Sequence, residues 1–447
     1  MKKAVVLVLV AFVFVPLAFS AIVTNSNQSI QYFRLLARNA STDIDAVYYN
    51  PAGLVKLADG FHLSIQNQSI WQDKTITNSY PFLNNGSYLG TTRVPIYPDI
   101  YAVYKTGKLA LSFGFGPNAG GGTAKFNTGL PGLEIPFIGL GALLDAVYHM
   151  GISKYSMGMT FEGKSVYYGF QVNASYAITD WLAGSVGLRY ISAQNTYTGS
   201  ITDISYNFYG FPLQSAYNLF TAYHLPTYAA MFADRHVDVT QNGTGFTPIL
   251  GIHLSPAEGL NIGIHYEFKT PLQLTNATTQ DNIGLFPDGA KTDADIPAIL
   301  GVGVSYAFIP QLRAHASYTL YFDKDANWDG RQTLVNADSY DLAFGLEYDV
   351  LPALTLSAGY MYSPMDLQPS FQSAMNFSLG ANTFGFGAQL RLVPNLTIDL
   401  GALIATYKDA QQTLDYWLPG PIYIGSASEK YHETTWGFGI GFGYHFN

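Results

Sequence analysis

Trp436-Gly437-Phe438-Gly439-Ile440-Gly441-Phe442-Gly443-Tyr444-His445-Phe446 ends one residue short of the last position. Every second side chain in it is large and apolar. The intervening set is four glycines and a histidine. A period of two puts the two sets on opposite faces of a strand. One face is an aromatic row and the other is close to bare backbone. The pattern recurs upstream. Val166, Tyr168, Phe170, Val172, Ala174, Tyr176 and Ile178 oppose Ser165, Tyr167, Gly169, Gln171, Asn173, Ser175 and Ala177. Leu312, Ala314, Ala316, Tyr318, Leu320 and Phe322 oppose Arg313, His315, Ser317, Thr319 and Tyr321. In Tyr340 to Val350 the polar side carries Asp341, Gly345, Glu347 and Asp349.

A soluble sandwich also alternates, so the connections must discriminate. Tight turns fall at Thr179-Asp180, Ser255 to Gly259, Ile309-Pro310, Leu351-Pro352 and Val393 to Asn395. Between them run long connections at 191–242, 269–296, 323–337, 363–381 and 408–433. Short turns at one end and long loops at the other mark an outer-membrane barrel. Strands are expected near 61–73, 97–106, 108–126, 164–178, 181–190, 243–254, 260–268, 297–308, 311–322, 338–350, 353–362, 382–392, 395–407 and 434–446. That is about 14, an even number, as bacterial single-chain barrels require. In the stretch 127–163 a loop and the start of a strand run together. The fold expected is all-β, a transmembrane antiparallel β-barrel.

Composition agrees. Charged residues are 12% of the chain, about half the roughly 25% of a soluble domain. Aromatic residues are 15%, too many for disorder. Beyond the first twenty residues no apolar run reaches the roughly 18 residues that a helical span needs. The net charge of -9, with no basic patch, argues against a nucleic-acid partner. Cysteine is absent, which removes disulfides and thiolate-bound zinc, and no metal or cofactor is expected. In lipid, the Tyr, Phe, Leu and Val rows face outward. Arg189, His265, Glu267, Arg313, His315, Asp341, Glu347, Arg391 and Asp399 then face the lumen. An Arg or Lys on the lipid face would cost about 2–4 kcal/mol at mid-depth.

At the front, Lys2 and Lys3 precede an apolar stretch, Ala4 to Phe19, and Ala18-Phe19-Ser20 has a small-x-small form. This reads as a signal peptide, residues 1–20, cut after Ser20. Residues 21–60 do not alternate. Ile30, Phe33, Leu36 and Ala37 have helical spacing, and the segment is short on charge and rich in aromatics. It is expected to fold as a plug inside the barrel of residues 61–447; a flexible periplasmic tail is the alternative.

The stretch Asn39-Ala40-Ser41-Thr42-Asp43-Ile44-Asp45-Ala46-Val47-Tyr48-Tyr49-Asn50-Pro51-Ala52-Gly53-Leu54 resembles the N-terminal hatch of the FadL/TodX family of outer-membrane transporters. The Asn-Pro-Ala hatch motif is matched at Asn50, Pro51 and Ala52. The resemblance extends to Tyr97-Pro98-Asp99, to Leu109 through Asn127 and to the closing strand. It implies uptake of long-chain fatty acids or other hydrophobic compounds. Outer loops catch the ligand, the hatch blocks straight passage, and a kink in the third strand opens the wall sideways into the membrane. Here that kink falls on Phe113, Gly116, Pro117, Asn118, Gly120, Gly121 and Gly122. Proline removes a ladder donor and a glycine run weakens pairing. The plainer reading is that the strand ends at Gly116.

Two outer loops carry more apolar surface than a solvated loop needs. One holds Leu133, Ile135, Phe137, Ile138, Leu140, Leu143 and Leu144. The other holds Tyr217, Leu219, Phe220, Tyr223, Leu225, Met231 and Phe232. They are expected to capture ligand, to cap the barrel, or both. Ser192 to Ile201 carries no Lys or Arg for an acyl carboxylate, and Arg331 is the one loose candidate. Neutral hydrocarbons therefore stand beside fatty acids as ligands. The expected partners are a hydrophobic small molecule, outer-membrane lipid, and the barrel-assembly machinery reading the C-terminal strand. The expected location is the outer membrane of a Gram-negative-type bacterium. A general diffusion porin is the alternative, and an outer-membrane hydrolase lacks any recognisable nucleophile motif.

Overall fold

The computed structural model describes residues 24–418 and 422–446. The expected signal peptide, and the final Asn447, lie outside the described residues.

Fourteen strands form the wall, one for each strand expected from alternation. They are β1 Gly60–Asn78, β2 Ser87–Thr106, β3 Leu109–Phe126, β4 Tyr155–Ala177, β5 Leu182–Tyr206, β6 Arg235–Ala257 and β7 Leu260–Glu267. β8 Ile299–Ile309, β9 Leu312–Tyr321, β10 Tyr340–Leu351, β11 Leu354–Ser363, β12 Ala381–Val393, β13 Leu396–Tyr407 and β14 Ile422–Phe446 follow. Each pairs antiparallel with the next. β14 then pairs with β1 from Phe61↔Phe446 to Asn78↔Glu429, which closes the barrel. Closure leaves no free edge strand, which is what spanning lipid requires.

The faces fall as the alternation dictates. Tyr168, Phe170, Val172 and Tyr176 stand outward on β4, while Tyr167, Gln171, Asn173 and Ser175 are buried inside. On β14 the row from Trp436 to Phe446 points out. Trp71 stacks on Trp436 across the closing seam, with ring centroids 4.3 Å apart. Arg189, His265, Glu267, Glu347 and Asp399 are all buried inward.

Several strands outrun their expected bounds at the outer end. β5 continues to Tyr206, β6 begins at Arg235, and β14 begins at Ile422. Short strands Gln273–Asp281, Lys291–Asp293 and Ala410–Leu418 prolong β7, β8 and β13. Much of the supposed loop sequence at 191–242, 269–296 and 408–433 is therefore ladder. Beyond the lipid the outward side chains turn polar, as at Ser192, Gln194, Thr196 and Thr198. The hydrophobic alternation disappears there while the hydrogen bonding goes on.

The blurred stretch 127–163 resolves into a helix, α1 Pro131–Tyr148, and the start of β4. At 18 residues this helix is long and apolar enough to cross a membrane, contrary to the expectation that no such run exists. It instead packs on the outer extensions of the wall. The Tyr206 hydroxyl donates to the Phe137 carbonyl at 2.6 Å, and Gly139 lies against Ile424.

Candidate functional site

The lumen floor is built by the segment before β1. A six-residue helix, Ile30–Leu35, is buried along its whole length. Ser29 caps it, accepting from the Tyr32 amide at 2.9 Å and donating to Asp45 at 2.9 Å. A short helix, Ala46–Tyr49, and a 3-10 turn, Pro51–Lys56, follow. The segment is clamped by charge. Arg34 reaches Glu347 at 2.5 Å and Asp399 at 3.1 Å, and Arg38 reaches both Asp43 and Asp45 at 2.7 Å. Charges this deep are tolerable only when paired and hydrogen-bonded. Here Glu347 also meets His315 at 3.1 Å, and Asp399 also accepts from Gln31 at 2.8 Å. The Arg189 guanidinium, paired with Glu267 at 2.6 Å, lies over the Tyr48 ring.

Glycines in the wall admit this segment. A Cβ on Gly359 would stand 2.1 Å from the Leu35 carbonyl oxygen, and one on Gly439 would stand 2.1 Å from Ile30. The bare face of the last strand is thus the seat of the first helix. Asn50, Pro51 and Ala52 dock on the opposite wall. The Asn50 amide donates to the Ile252 carbonyl at 3.0 Å, and Ser175 donates to the Pro51 carbonyl at 2.6 Å. Ala52 is fully buried. Residues 29–41 and 45–54 of the segment expected as a plug are thus buried against the inward faces of wall strands on both sides.

The wall is interrupted at one seam. β2 pairs with β3 at Thr92↔Ala124 and again only at Ile100↔Phe115, so residues 93–99 and 116–123 are not paired across it. On its other side β3 slips against β4 between Pro117 and Gly122. Gly120 and Gly122 adopt φ +95° and +74°, which side-chain-bearing residues rarely take. Gly116, Pro117, Asn118 and Gly120 are buried, turned in from the wall. The strand therefore does not end at Gly116; it bends and resumes. Phe113 does not belong to the bend. It is paired on both sides, to Ala102 and Val172, and points outward.

The bend is tied to the luminal segment. Asn25 donates from its amide nitrogen to the Gly120 carbonyl at 2.8 Å, Gln28 donates to the Pro117 carbonyl at 2.9 Å, and the Tyr97 hydroxyl donates to the same carbonyl at 2.5 Å. Asn118 donates to the Gln28 side chain at 3.1 Å. Asn25, Gln28 and Tyr97 carried no distinguishing pattern of their own in the sequence. Pro95 and Pro98 on the facing stretch of β2 were the available signal, since strand prolines mark broken ladders.

Three cavities follow one another inward. The outermost, about 610 Å³, lies among the loops beside Leu133, Arg331, Phe371, Met375 and Tyr416. The second, about 290 Å³, is bordered by Lys74, Phe126, Phe161, Lys164, Phe377 and Glu433. The third, about 280 Å³, is bordered by Phe33, Ile70, Val94, Tyr97, Gly120 to Gly122, Asp341, Met361 and Leu403. Gln72, Thr92 and the three glycines border both inner chambers, so the chambers adjoin at the wall gap. Against the luminal segment the spaces shrink to about 30 and 10 Å³.

The loop residues expected to capture ligand divide. Leu133, Ile135, Phe137, Ile138, Leu140, Leu144, Phe220 and Phe232 are buried in one cluster at the outer end, with Leu219 and Met231 packed against it. Tyr217, Tyr223 and Leu225 are exposed, and Leu143 is half-buried. For the buried ones the expectation of an open greasy surface is corrected. Apolar residues in a helix and adjoining turns satisfy one another before they meet a ligand. Glu134 fixes α1 in this cap, accepting from Tyr88 and Tyr155 at 2.5 Å each. In the outer loop after β9, burial pushes the Asp323 carboxyl up to about 6, although it accepts from the Ser339 amide and hydroxyl. Arg331 does border the outer cavity, where it donates to the Phe371 carbonyl at 2.5 Å. Among the described residues no group of three His, Cys, Asp or Glu side chains is arranged to hold a metal.

The chain thus forms a closed 14-stranded barrel with its N-terminal segment packed against the inner wall, one broken seam and stacked cavities. No protein-family model and no curated protein matches the chain. Solved structures do. A Pseudomonas aeruginosa FadL homologue superposes with TM-score 0.66 over 96% of this chain and 100% of its own, at 13% identity. The P. putida toluene transporter TodX gives 0.60 over 91% and 95%, at 14% identity. The Ralstonia pickettii toluene transporter TbuX gives 0.54 over 91% and 94%, at 17% identity. The chain has the fold of FadL/TodX-type channels.

Proposed function

We propose that this protein is an outer-membrane channel for the uptake of small hydrophobic molecules, with passive movement and sideways exit. The observation that carries the reading is the unpaired seam between β2 and β3, opening beside a cavity of about 280 Å³. A ligand enters at the outer cavity, passes the two inner chambers, and leaves between residues 93–99 and 116–123 into lipid. Transfer at each step is driven by apolar area leaving water, about 25 cal/mol per Å². The luminal segment, held together by Arg38 and anchored to the wall through Arg34 and Asn50, is the hatch that closes the straight route to the periplasm. Likeness to channels described as toluene transporters supports the ligand class, and the signal-peptide-like front supports export to the outer membrane.

The test is to replace Gly120-Gly121-Gly122 with Val-Thr-Val, which favours straight pairing. Uptake of radiolabelled toluene by vesicles carrying the protein should fall to background. Heat-modifiable mobility on gels should confirm a folded barrel. Unchanged uptake by a correctly folded variant would refute the sideways route. A large, steady ion conductance of the unmodified protein in planar bilayers would refute the closed hatch and favour a porin.

A further inference from the structure

The inner chamber is unusual in its charge. It is bordered by apolar side chains such as Phe33, Ile70, Met361 and Leu403 and by uncharged polar ones, and the one formally charged group on it is Asp341. No Lys, Arg or His among the described residues lies within ion-pair distance of that carboxylate. Its two oxygens each accept a hydroxyl: Tyr321 at 2.7 Å on Oδ2 and Ser363 at 2.5 Å on Oδ1. A carboxylate accepts about four hydrogen bonds. Acceptor capacity is therefore left over, beside an apolar space that adjoins the wall gap.

One step outward the sign reverses. Lys74 and Lys164 border the second chamber, with Glu433 3.6 Å from Lys74. Along β1 the order is Ile70, Gln72, Lys74, so a ligand meets the lysines first and Asp341 afterwards. An anion is disfavoured at the half-buried Asp341, where charge is less screened than in open water; a cation passes the exposed Lys164, whose repulsion water screens more strongly. An uncharged molecule meets neither penalty. If it carries an O–H, it also supplies a further donor to Asp341, beyond those of Tyr321 and Ser363. A half-buried acceptor with spare capacity favours a ligand that can donate over one with nothing to donate.

We propose that Asp341 is a specificity-determining residue, and that the inner chamber takes uncharged hydroxylated hydrophobic molecules, phenols or alcohols, in preference to carboxylates. This rests on the uptake reading above and assigns its ligand class. Acyl carboxylates are then poor ligands for the inner chamber, whatever the outer cavity beside Arg331 holds.

The test uses the full chain in lipid nanodiscs and four probes matched in size: p-cresol, toluene, p-toluate and 4-methylbenzylammonium. Equilibrium binding is measured for the unmodified protein and for Asp341→Asn. The unmodified protein should hold p-cresol at least about tenfold more tightly than p-toluate, a difference of about 1.4 kcal/mol. Asp341→Asn should shrink that ratio by strengthening p-toluate and weakening p-cresol, with toluene unchanged. Equal or tighter binding of p-toluate by the unmodified protein overturns the proposal while leaving hydrophobic uptake standing. A ratio unaltered in a folded Asp341→Asn protein overturns the role of Asp341. Failure to bind toluene or any other probe overturns both readings. Should Asp341→Asn misfold, the ratio for the unmodified protein together with Ser363→Ala, which frees one more acceptor site on the same carboxylate, decides the matter: Ser363→Ala should widen the preference for p-cresol.

Discussion

Replacing Arg34 with alanine should loosen the proposed hatch and spare the barrel. The guanidinium is buried and joins Glu347 at 2.5 Å, Asp399 at 3.1 Å and the Ser357 hydroxyl at 3.1 Å. Its loss leaves two wall carboxylates short of a partner. Glu347 keeps His315 and Arg313, whereas Asp399 keeps only the neutral Gln31 and Gln389. Removing one partner of a buried pair costs about 3–5 kcal/mol, because the other charge stays buried. That penalty falls on the seating of the hatch and not on the wall, whose ladders do not involve Arg34. The hatch-open population should therefore rise by about two to three and a half decades. Native-state amide exchange read by mass spectrometry measures it: protection across 30–56 should drop by that factor, and protection in β4, β9 and β11 should not. A companion variant, Arg34→Met with Asp399→Leu, removes much of the charge mismatch and should recover part of the protection. Unchanged protection in Arg34→Ala, or equal loss across hatch and wall, would show that charge pairing does not hold the segment in place.

Further outcomes follow from single contacts. Gly359→Leu places a Cβ about 2.1 Å from the Leu35 carbonyl oxygen, so the first helix cannot seat; the barrel should still migrate as folded while protease cuts within 30–56. Glu134→Ala strips the acceptor from the Tyr88 and Tyr155 hydroxyls, bonds of about 1.5–3 kcal/mol each when the acceptor is charged, and α1 should become the first site of external proteolysis. The Asp323 carboxyl titrates near 6 when folded and near 3.8 when unfolded, so the folded form holds the extra proton. Its contribution to loop stability is present in full below 3.8 and is lost as the pH rises through 6. Exchange protection of 321–340 should fall over that window, and Asp323→Asn should flatten the fall.

The strand count and the faces were legible because they are local. Alternation of two depends only on neighbours along one chain, and lipid outside leaves no freedom about which face is apolar. Arg189, Glu267, Glu347 and Asp399 could be placed inward from their position in that period alone. The helical spacing of Ile30, Phe33 and Leu36 and the glycines of the last strand were both visible, although their mutual fit was not. The outer strand extensions escaped notice because their hydrogen bonding persists where the hydrophobic pattern stops. The buried half of the loop residues was misjudged for a related reason. An apolar side chain in a loop reads the same whether a ligand or another loop covers it.

The sequence by itself determined a fourteen-stranded barrel, the direction its faces point, a segment left over to fill it, and a weak place at Pro117 and Gly120 to Gly122. The tertiary structure decided what the weak place is. Whether a proline and glycines end a strand, bulge it or open a seam depends on where β2 and β3 resume pairing, and Thr92↔Ala124 and Ile100↔Phe115 are contacts between separate strands. The chambers likewise exist only where Phe33, Val94, Asp341 and Leu403 meet around one volume. Those residues lie between 61 and 370 positions apart, and no local period encodes their distance; barrel closure brings them together.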